Sequence, residues 1–333
     1  MPESSADNGA HELPLESVQR AIQDSIGQHS SALASVLNRL VADPHPLGIT
    51  SALRDPHMHA RTVELVAGLT SFRELTRYGD DLEAYRSENP GHGPLFESIE
   101  PHINMDADGR SRKNEYVAAA KLRDEARTVG RNPSEADRAA VNEYAHRLAG
   151  LVEPSVENEL NAIAEDLRKE FGDMTVSVRS KDGDGLLDKV QRMLLGRAGA
   201  PGRPNYEVGD VIDAVGGRIT VHDMKALAAV FERVKNHFGT GDAGRILEIE
   251  NMYAHPKSKA PSYRVIPMII KSEVNGMPYT FELQLTTQRA SIAADIEHNT
   301  FYKPYVSISS YEEDLILRLM AEAAAQDQAE TRE

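Results

Sequence analysis

Asn275-Gly276 separates two apolar segments, YRVIPMIIKSEV and PYTFELQLT, and no other feature of the chain restricts its fold so strongly. A type I′ turn needs positive φ at both central residues, which Asn and Gly adopt at least cost, so the dipeptide predicts a β-hairpin with antiparallel arms. Along the second arm a period of two sets Phe281, Leu283 and Leu285 on one face and Glu282 with Gln284 on the other. The same alternation in GRITV (217–221) sets Arg218 and Thr220 against Ile219 and Val221. A sheet with one apolar and one polar face follows.

Around the hairpin, strand-like and helical patterns alternate. MTVSVRS (174–180) and RILEI read as further strands, and GLLDKVQRMLL (185–195) as a helix. DMKALAAVFERVKNHF (223–238) is a second helix, with Asp223 as its N-cap. A helix over 287–302 and an amphipathic one over 311–325 end the chain. Ahead of the first strand, Val156, Leu160, Ile163, Leu167 and Phe171 form a stripe that stops at Gly172, a C-cap. The fold class expected is α+β, a mixed β-sheet flanked by helices.

The first 150 residues read as helical throughout. Apolar residues recur at helical spacing over 13–41, one or two helices' worth, and helices are predicted over 60–86, over 114–129 and after Ser134, an N-cap. A Pro- and His-rich loop (42–59) and an irregular Gly/Pro/Asn/Asp-rich connection (87–112) separate them. No internal repeat is found. Three parts are expected: a helical region 1–150, an α+β domain 151–305, and a C-terminal helix and tail 306–333.

Charge and composition exclude several function classes. With 52 acidic against 37 basic residues the net charge is −15, which repels a polyanion unless basic groups are concentrated, so a DNA partner is disfavoured. There is no cysteine, hence no disulfide, zinc thiolate or cysteine nucleophile. The acidic start, MPESSADNGAHELPLES, lacks the basic and apolar regions of a secretory signal. No apolar run reaches the ~18–20 residues that span a bilayer. A cytoplasmic protein without a membrane partner is the expectation.

The polar sheet face suits a nucleotide triphosphate, because Arg pairs with phosphate bidentately and carboxylates hold the Mg²⁺ that bridges phosphate oxygens. Half-solvated strands also present Glu and Arg to water without any function, so patterning alone leaves both readings open. His57 and His59 are spaced to share a metal only if a carboxylate joins them, and surface histidines are the plainer reading. His222-Asp223 reads as a strand end and helix cap, and Asp210 as the cap of a short turn.

The order of motifs goes further. VRSKDGDGLLDKVQR, DAVGGR, a Lys- and Tyr-bearing loop ending SYR, ELQLTT and IEHNTFYK follow one another over about 150 residues. Together they resemble the synthetase domain of the RelA/SpoT family, and most of all its small, synthetase-only alarmone synthetases. That resemblance implies ATP binding by Arg179, stacked on adenine, and by Lys181, Lys189 and Arg192 at the phosphates, with Gly185 where the family has Ser. It implies Mg²⁺ on Asp213 and Glu282, with Arg218 near the phosphates. Glu282 and Gln284 match the family's E-h-Q strand, whose Glu is either a metal ligand or the base for the acceptor 3′-hydroxyl. Tyr263 would stack on the acceptor base, with Lys257 or Lys259 before it. Ser262 stands where Gly is usual, Pro267 where His often follows, and the loop is two residues longer. His298 and Lys303 match the helix that closes on the acceptor, although five residues' spacing does not align them on one helix face.

The activity so implied is an ATP-dependent pyrophosphokinase that transfers the β,γ-pyrophosphoryl group to the 3′-hydroxyl of GDP or GTP, makes (p)ppGpp and releases AMP. Three alternatives stay open: a toxic relative making adenosine alarmones, one modifying the tRNA 3′ end, or a silent nucleotide-binding module. The tRNA version needs a basic docking surface, which the −15 charge disfavours. The hydrolase His-Asp pair of long family members is missing from the N-terminal half, and only about 30 residues follow the synthetase, so no regulatory tail is expected. The N-terminal helices could dock on the synthetase, mediate homo-oligomer assembly, neutralise it or carry it to a target.

Overall fold

The computed structural model describes residues 12–43, 49–71, 103, 107–123, 132–172, 174–196, 201–240, 243–258, 260–299 and 310–330. Helices α1 (Leu15–Ser25) and α2 (Ser31–Val41) come first, α2 capped by the Ser30 hydroxyl, which accepts from the Leu33 N–H. The short α3 (Ile49–Arg54) and α4 (His59–Ser71) follow, then α5 (Ala107–Arg123) and α6 (Glu135–Arg147). Ser134 and Asp137 close a reciprocal capping box at the start of α6, as the sequence pattern predicts. A π-helical turn (Leu148–Val152) leads into α7 (Glu153–Phe171), which ends on Gly172 at φ 75°, a backbone region open to glycine at little cost.

The sheet segment then runs β1 (Met174–Ser180), α8 (Gly183–Leu195), β2 (Val215–Val221), α9 (Met224–Phe238), β3 (Ile246–Ile249), β4 (Ile266–Val274) and β5 (Met277–Thr287). α10 (Gln288–Asn299) and α11 (Ser310–Glu330) complete it. Five strands form one mixed sheet in the order β1-β2-β5-β4-β3, in which β2 and β5 are parallel and the other neighbours antiparallel. The β4–β5 hairpin turns at Asn275 (φ 54°) and Gly276 (φ 74°), the two positive angles its turn demands.

Two predicted boundaries are corrected. The 42–59 loop contains α3, because Ile49, Thr50 and Leu53 find a buried face for one turn and a half. The connection drawn over 87–112 gives way to α5 at Ala107 rather than at 114, a start that its weak apolar periodicity concealed. The predicted helical continuations to 86, 129 and 302 lie outside the described residues.

Apolar side chains gather in two places. The larger core lies against the apolar sheet face, where Val215, Ile219, Phe281, Leu283 and Leu285 pack with residues of α6, α7, α8 and α9. A second core joins α1, α2, α3 and α4 to α10 and α11 through residues such as Ile22, Leu37, Val66, Ile296 and Leu319. α10 thus takes part in the second core directly after β5 ends. Among the described residues no helix is long and apolar enough to cross a membrane.

Candidate active site

The polar sheet face is set by register. Arg179 of β1 lies opposite Gly216 of β2, and Gly216 opposite Glu282 of β5. The next row is Ser177, Arg218 and Gln284. Every residue of a row shares one side of the pleat, so an arginine, a carboxylate, a second arginine and an amide occupy one surface. Two adjacent glycines in DAVGGR divide the labour between faces. A Cβ on Gly217 would lie 2.5 Å from Leu160 Cδ1 of α7, so glycine there allows close core packing. A Cβ on Gly216 would meet nothing within 4 Å, so the polar face is open between Arg179 and Glu282.

Asp213 sits two residues ahead of β2, at the end of the parallel pair where Glu282 begins to emerge. Its Oδ2 takes ion pairs from Lys181 Nζ and Lys189 Nζ, both at 3.1 Å. Lys181 follows β1 directly, and its ammonium also donates to the Asp213 carbonyl; Lys189 reaches in from α8. The Asp182 cap, whose Oδ1 accepts from the Gly185 N–H at 2.7 Å, fixes where α8 begins and so where Lys189 points. Burial alone would raise the Asp213 carboxyl, but the two ammonium groups hold it below its usual range.

Glu282 behaves in the opposite way. Burial, then the negative charge of Asp213, pushes its carboxyl above the usual range, against a hydrogen bond from Gln284 and the two lysines. The two acids are therefore close enough to repel each other. Gln284 connects Glu282 to Arg218: its Nε2 donates to Glu282 Oε2 at 2.8 Å, and its Oε1 accepts from Arg218 Nε and Nη2 at 3.2 and 3.1 Å. The amide orientation is fixed by this relay, since a flipped Gln284 would face an N–H to the guanidinium.

Arg218 is held from the other side by α10, where Asp295 Oδ1 pairs with Nη1 at 2.9 Å and the Ser291 hydroxyl lies at 3.0 Å. Sequence patterning misses both residues. A buried strand arginine needs an acid partner, and the approach of α10 decides that it is Asp295. Tyr263, from the loop before β4, belongs to the same neighbourhood: burial pushes its hydroxyl up to about 12, Arg218 opposes that rise, and Glu282 and Asp295 add to it. Tyr263 also packs on the second, helical core.

The remaining predicted residues stand as follows. Arg179 is exposed on the edge strand. Arg192 pairs with Asp188 one turn back, at 2.8 Å, and lies within electrostatic reach of Tyr206, which in turn senses Asp213. Lys257 pairs with Glu250 at 3.0 Å. His298 is half-buried near the end of α10, the helix that carries Asp295. Lys259 and Lys303 lie outside the described residues. His59 Nδ1–H donates to the Leu53 carbonyl at 2.7 Å, a structural contact.

With that geometry in view, comparison with solved structures finds likenesses over 54% of the chain. The similarity is to pyrophosphokinases of the alarmone type. A GTP pyrophosphokinase family protein from Streptococcus pneumoniae is 20% identical, with 85% of its own length covered and a TM-score of 0.42. Small alarmone synthetase 1 from Bacillus subtilis bound to its product pppGpp is 20% identical, with 88% covered and a TM-score of 0.41. The same synthetase bound to AMPCPP is 17% identical, with 87% covered and a TM-score of 0.36. No protein-family model matches the chain, and no curated protein does.

Whether a divalent cation fits can be asked of the side chains themselves. Asp213 Oδ1 is buried with no hydrogen-bond partner, while both lysine ion pairs fall on Oδ2. Burial and then the charge of Asp213 raise the Glu282 carboxyl. Among the described residues no group of three or more His, Cys, Asp or Glu side chains could enclose a metal. Two carboxylates and an open face are what Mg²⁺ requires when substrate phosphates and water supply its other ligands. The residues fit that ion and do not form a closed protein cage.

Proposed function

We propose that this chain is an ATP-dependent pyrophosphokinase that moves the β,γ-pyrophosphoryl group of ATP to the 3′-hydroxyl of a guanosine nucleotide, GDP or GTP, with AMP as the leaving product. The observation that carries this is the meeting of Asp213 and Glu282 beside Lys181 and Lys189 on an open polar sheet face. Phosphoryl-type transfer asks little covalent chemistry of a protein and much positioning and charge stabilisation, which is the kind of equipment present.

In this proposal Lys181 and Lys189 exchange partners when ATP enters, leaving Asp213 for the phosphates, to which each contributes a positive charge. Arg179, exposed opposite Gly216, covers the adenine face. Asp213 and Glu282 would hold Mg²⁺, which when bound neutralises charge on the transferring and leaving oxygens. Tyr263 positions the acceptor by stacking on its base, and Arg218, locked by Asp295 and Gln284, presents a fixed positive charge beside it. The acceptor 3′-oxygen bonds to the β-phosphorus as the bond from that phosphorus to the α,β-bridging oxygen breaks, and the electron pair leaves on AMP. The hydroxyl proton goes to Glu282, whose raised carboxyl is the better base of the two acids.

The test is an acceptor panel: the protein, Mg²⁺ and γ-labelled ATP with GDP, GTP, ADP, ATP or tRNA, followed by separation of labelled products. Label on GDP or GTP is the expected result. Label confined to adenosine nucleotides or to tRNA would keep the transfer chemistry and replace the acceptor, and label on none would remove the proposal.

A further inference from the structure

A cavity of about 650 Å³ opens between α5 and the 202–212 segment that leads into β2, and it shares no lining residue with the Asp213–Glu282 cluster. Arg110, Lys113 and Val117 line it from the helix, and Arg203, Tyr206 and Ile212 from the segment. Three cations face this one space, against a single lining acid, Asp210, in a chain whose net charge is −15. The Asp210 carboxylate is already engaged, Oδ2 accepting from the Glu207 N–H at 2.8 Å.

The cations are close enough to act on one another. Burial, then the charges of Arg110 and Arg203, hold the Lys113 ammonium below its usual range, while Glu250 works against that and Glu248 forms its ion pair. Arg guanidinium groups at a rim match phosphate oxygens bidentately, and an ammonium between them adds a point charge. The other walls differ in kind: Val117, Pro204 and Ile212 are apolar, and the Asn114 and Asn205 amides can both donate and accept. A bare phosphate would leave those walls unused, whereas a base would fill them, and the volume lies in the range of small-molecule sites.

We propose that this cavity binds a phosphorylated nucleotide, its phosphates between Arg110, Lys113 and Arg203 and its base against Val117 and Ile212, at a site separate from the acids of the active centre. The two places are mechanically joined. Ile212 immediately precedes Asp213, its carbonyl accepts from Thr280 Oγ1 of β5 at 3.1 Å, and Tyr206 donates to the Asp210 carbonyl at 3.0 Å. An occupant would therefore stiffen the segment that aims Asp213.

Equilibrium dialysis on the full chain carrying Glu282→Gln, which suppresses turnover, tests this with radiolabelled ATP, GTP and inorganic pyrophosphate in separate runs. Arg110→Ala with Arg203→Ala, both exposed positions, should weaken one class of nucleotide sites at least ten-fold and leave the other class intact. The Arg110→Lys, Arg203→Lys pair, which keeps the charge, should retain that class within a few-fold. Nucleotide binding of unchanged stoichiometry and affinity in the alanine pair would overturn the proposal, as would a site there that takes pyrophosphate but neither nucleotide. Failure of the unsubstituted chain to transfer pyrophosphate would count against the function proposed above and leave this binding result untouched.

Discussion

At the scale of single residues, the decisive asymmetry is within one carboxylate: Asp213 Oδ2 is shared by two lysines and Oδ1 is buried without a partner. Replacement by Asn removes the charge while keeping the shape, so Asp213→Asn should lower pyrophosphoryl transfer by at least about 100-fold, and Glu282→Gln likewise. Full activity in either variant refutes the two-acid centre. Because burial and Asp213 raise the Glu282 carboxyl, kcat/KM should fall on the acid side as pH drops through a value above the ordinary 4.5, where that carboxylate takes up a proton. An acid limb at or below 4.5 would mean that Glu282 is not the base. Tyr263→Ala should raise the acceptor KM by about ten-fold with a smaller effect on kcat, whereas Tyr263→Phe, which keeps the ring, should stay near the parent. Motif order in the sequence groups Asp213, Arg218, Glu282, Gln284 and Tyr263 together. Asp295 and Ser291 were not legible, because a buried guanidinium takes whichever acid the tertiary approach of the following helix brings, and nothing local marks that acid. Arg192 pairs with Asp188 and Lys257 with Glu250, just as Lys181 and Lys189 pair with Asp213, so each of these cations would have to exchange partners to meet a phosphate.

At the scale of elements, the hairpin, the five strands and the capped helices followed from turn chemistry and periodicity, since each depends on a few neighbouring residues. α3 escaped because its six residues are helical only by virtue of the face that buries Ile49 and Leu53, and the first two turns of α5 did, ahead of the helix predicted from 114, because its apolar periodicity is weak. Tyr116 of α5 donates to the carbonyls of Ser272 and Tyr279 on the sheet. The paired glycines of β2 give a test specific to this level. Gly217→Ala drives a methyl to 2.5 Å from Leu160 Cδ1 and should destabilise the fold by about 1–3 kcal/mol in denaturant titration. Gly216→Val should be tolerated in the same titration, because its side chain enters open space, yet should depress transfer if nucleotide lies over that row. Equal loss of stability in both would show that the two faces are not divided in this way.

At the scale of the whole molecule, the helices at the start of the chain share a core with α10 and α11, so the helix that positions Arg218 is also packed against α1 to α4. α11 is anchored in turn by Asp327, which is fully buried, accepts from the Thr287 hydroxyl at 2.8 Å and pairs with Arg289 at 3.4 Å. Burial pushes its carboxyl from 3.8 up to about 7. Across that window the folded chain keeps a proton that the unfolded chain has released, so stability falls as pH rises and levels off above it. Asp327→Asn, which can still accept from Thr287, should shrink the loss between about pH 5 and pH 8 by on the order of 2–3 kcal/mol. Glu297, also pushed up to about 7 by burial, keeps its own share of the decline. An unaltered pH dependence in the variant would show that Asp327 is not the titrating anchor. The most direct test of the active centre follows one substrate: ATP carrying one label in its α-phosphate and another in its γ-phosphate, with GDP, GTP and Mg²⁺. Pyrophosphoryl transfer at Asp213 and Glu282 predicts the γ-label on guanosine product and the α-label in AMP, both lost in Asp213→Asn. An α-label that stays in ATP or appears in ADP, with no γ-label on a guanosine nucleotide, would contradict it.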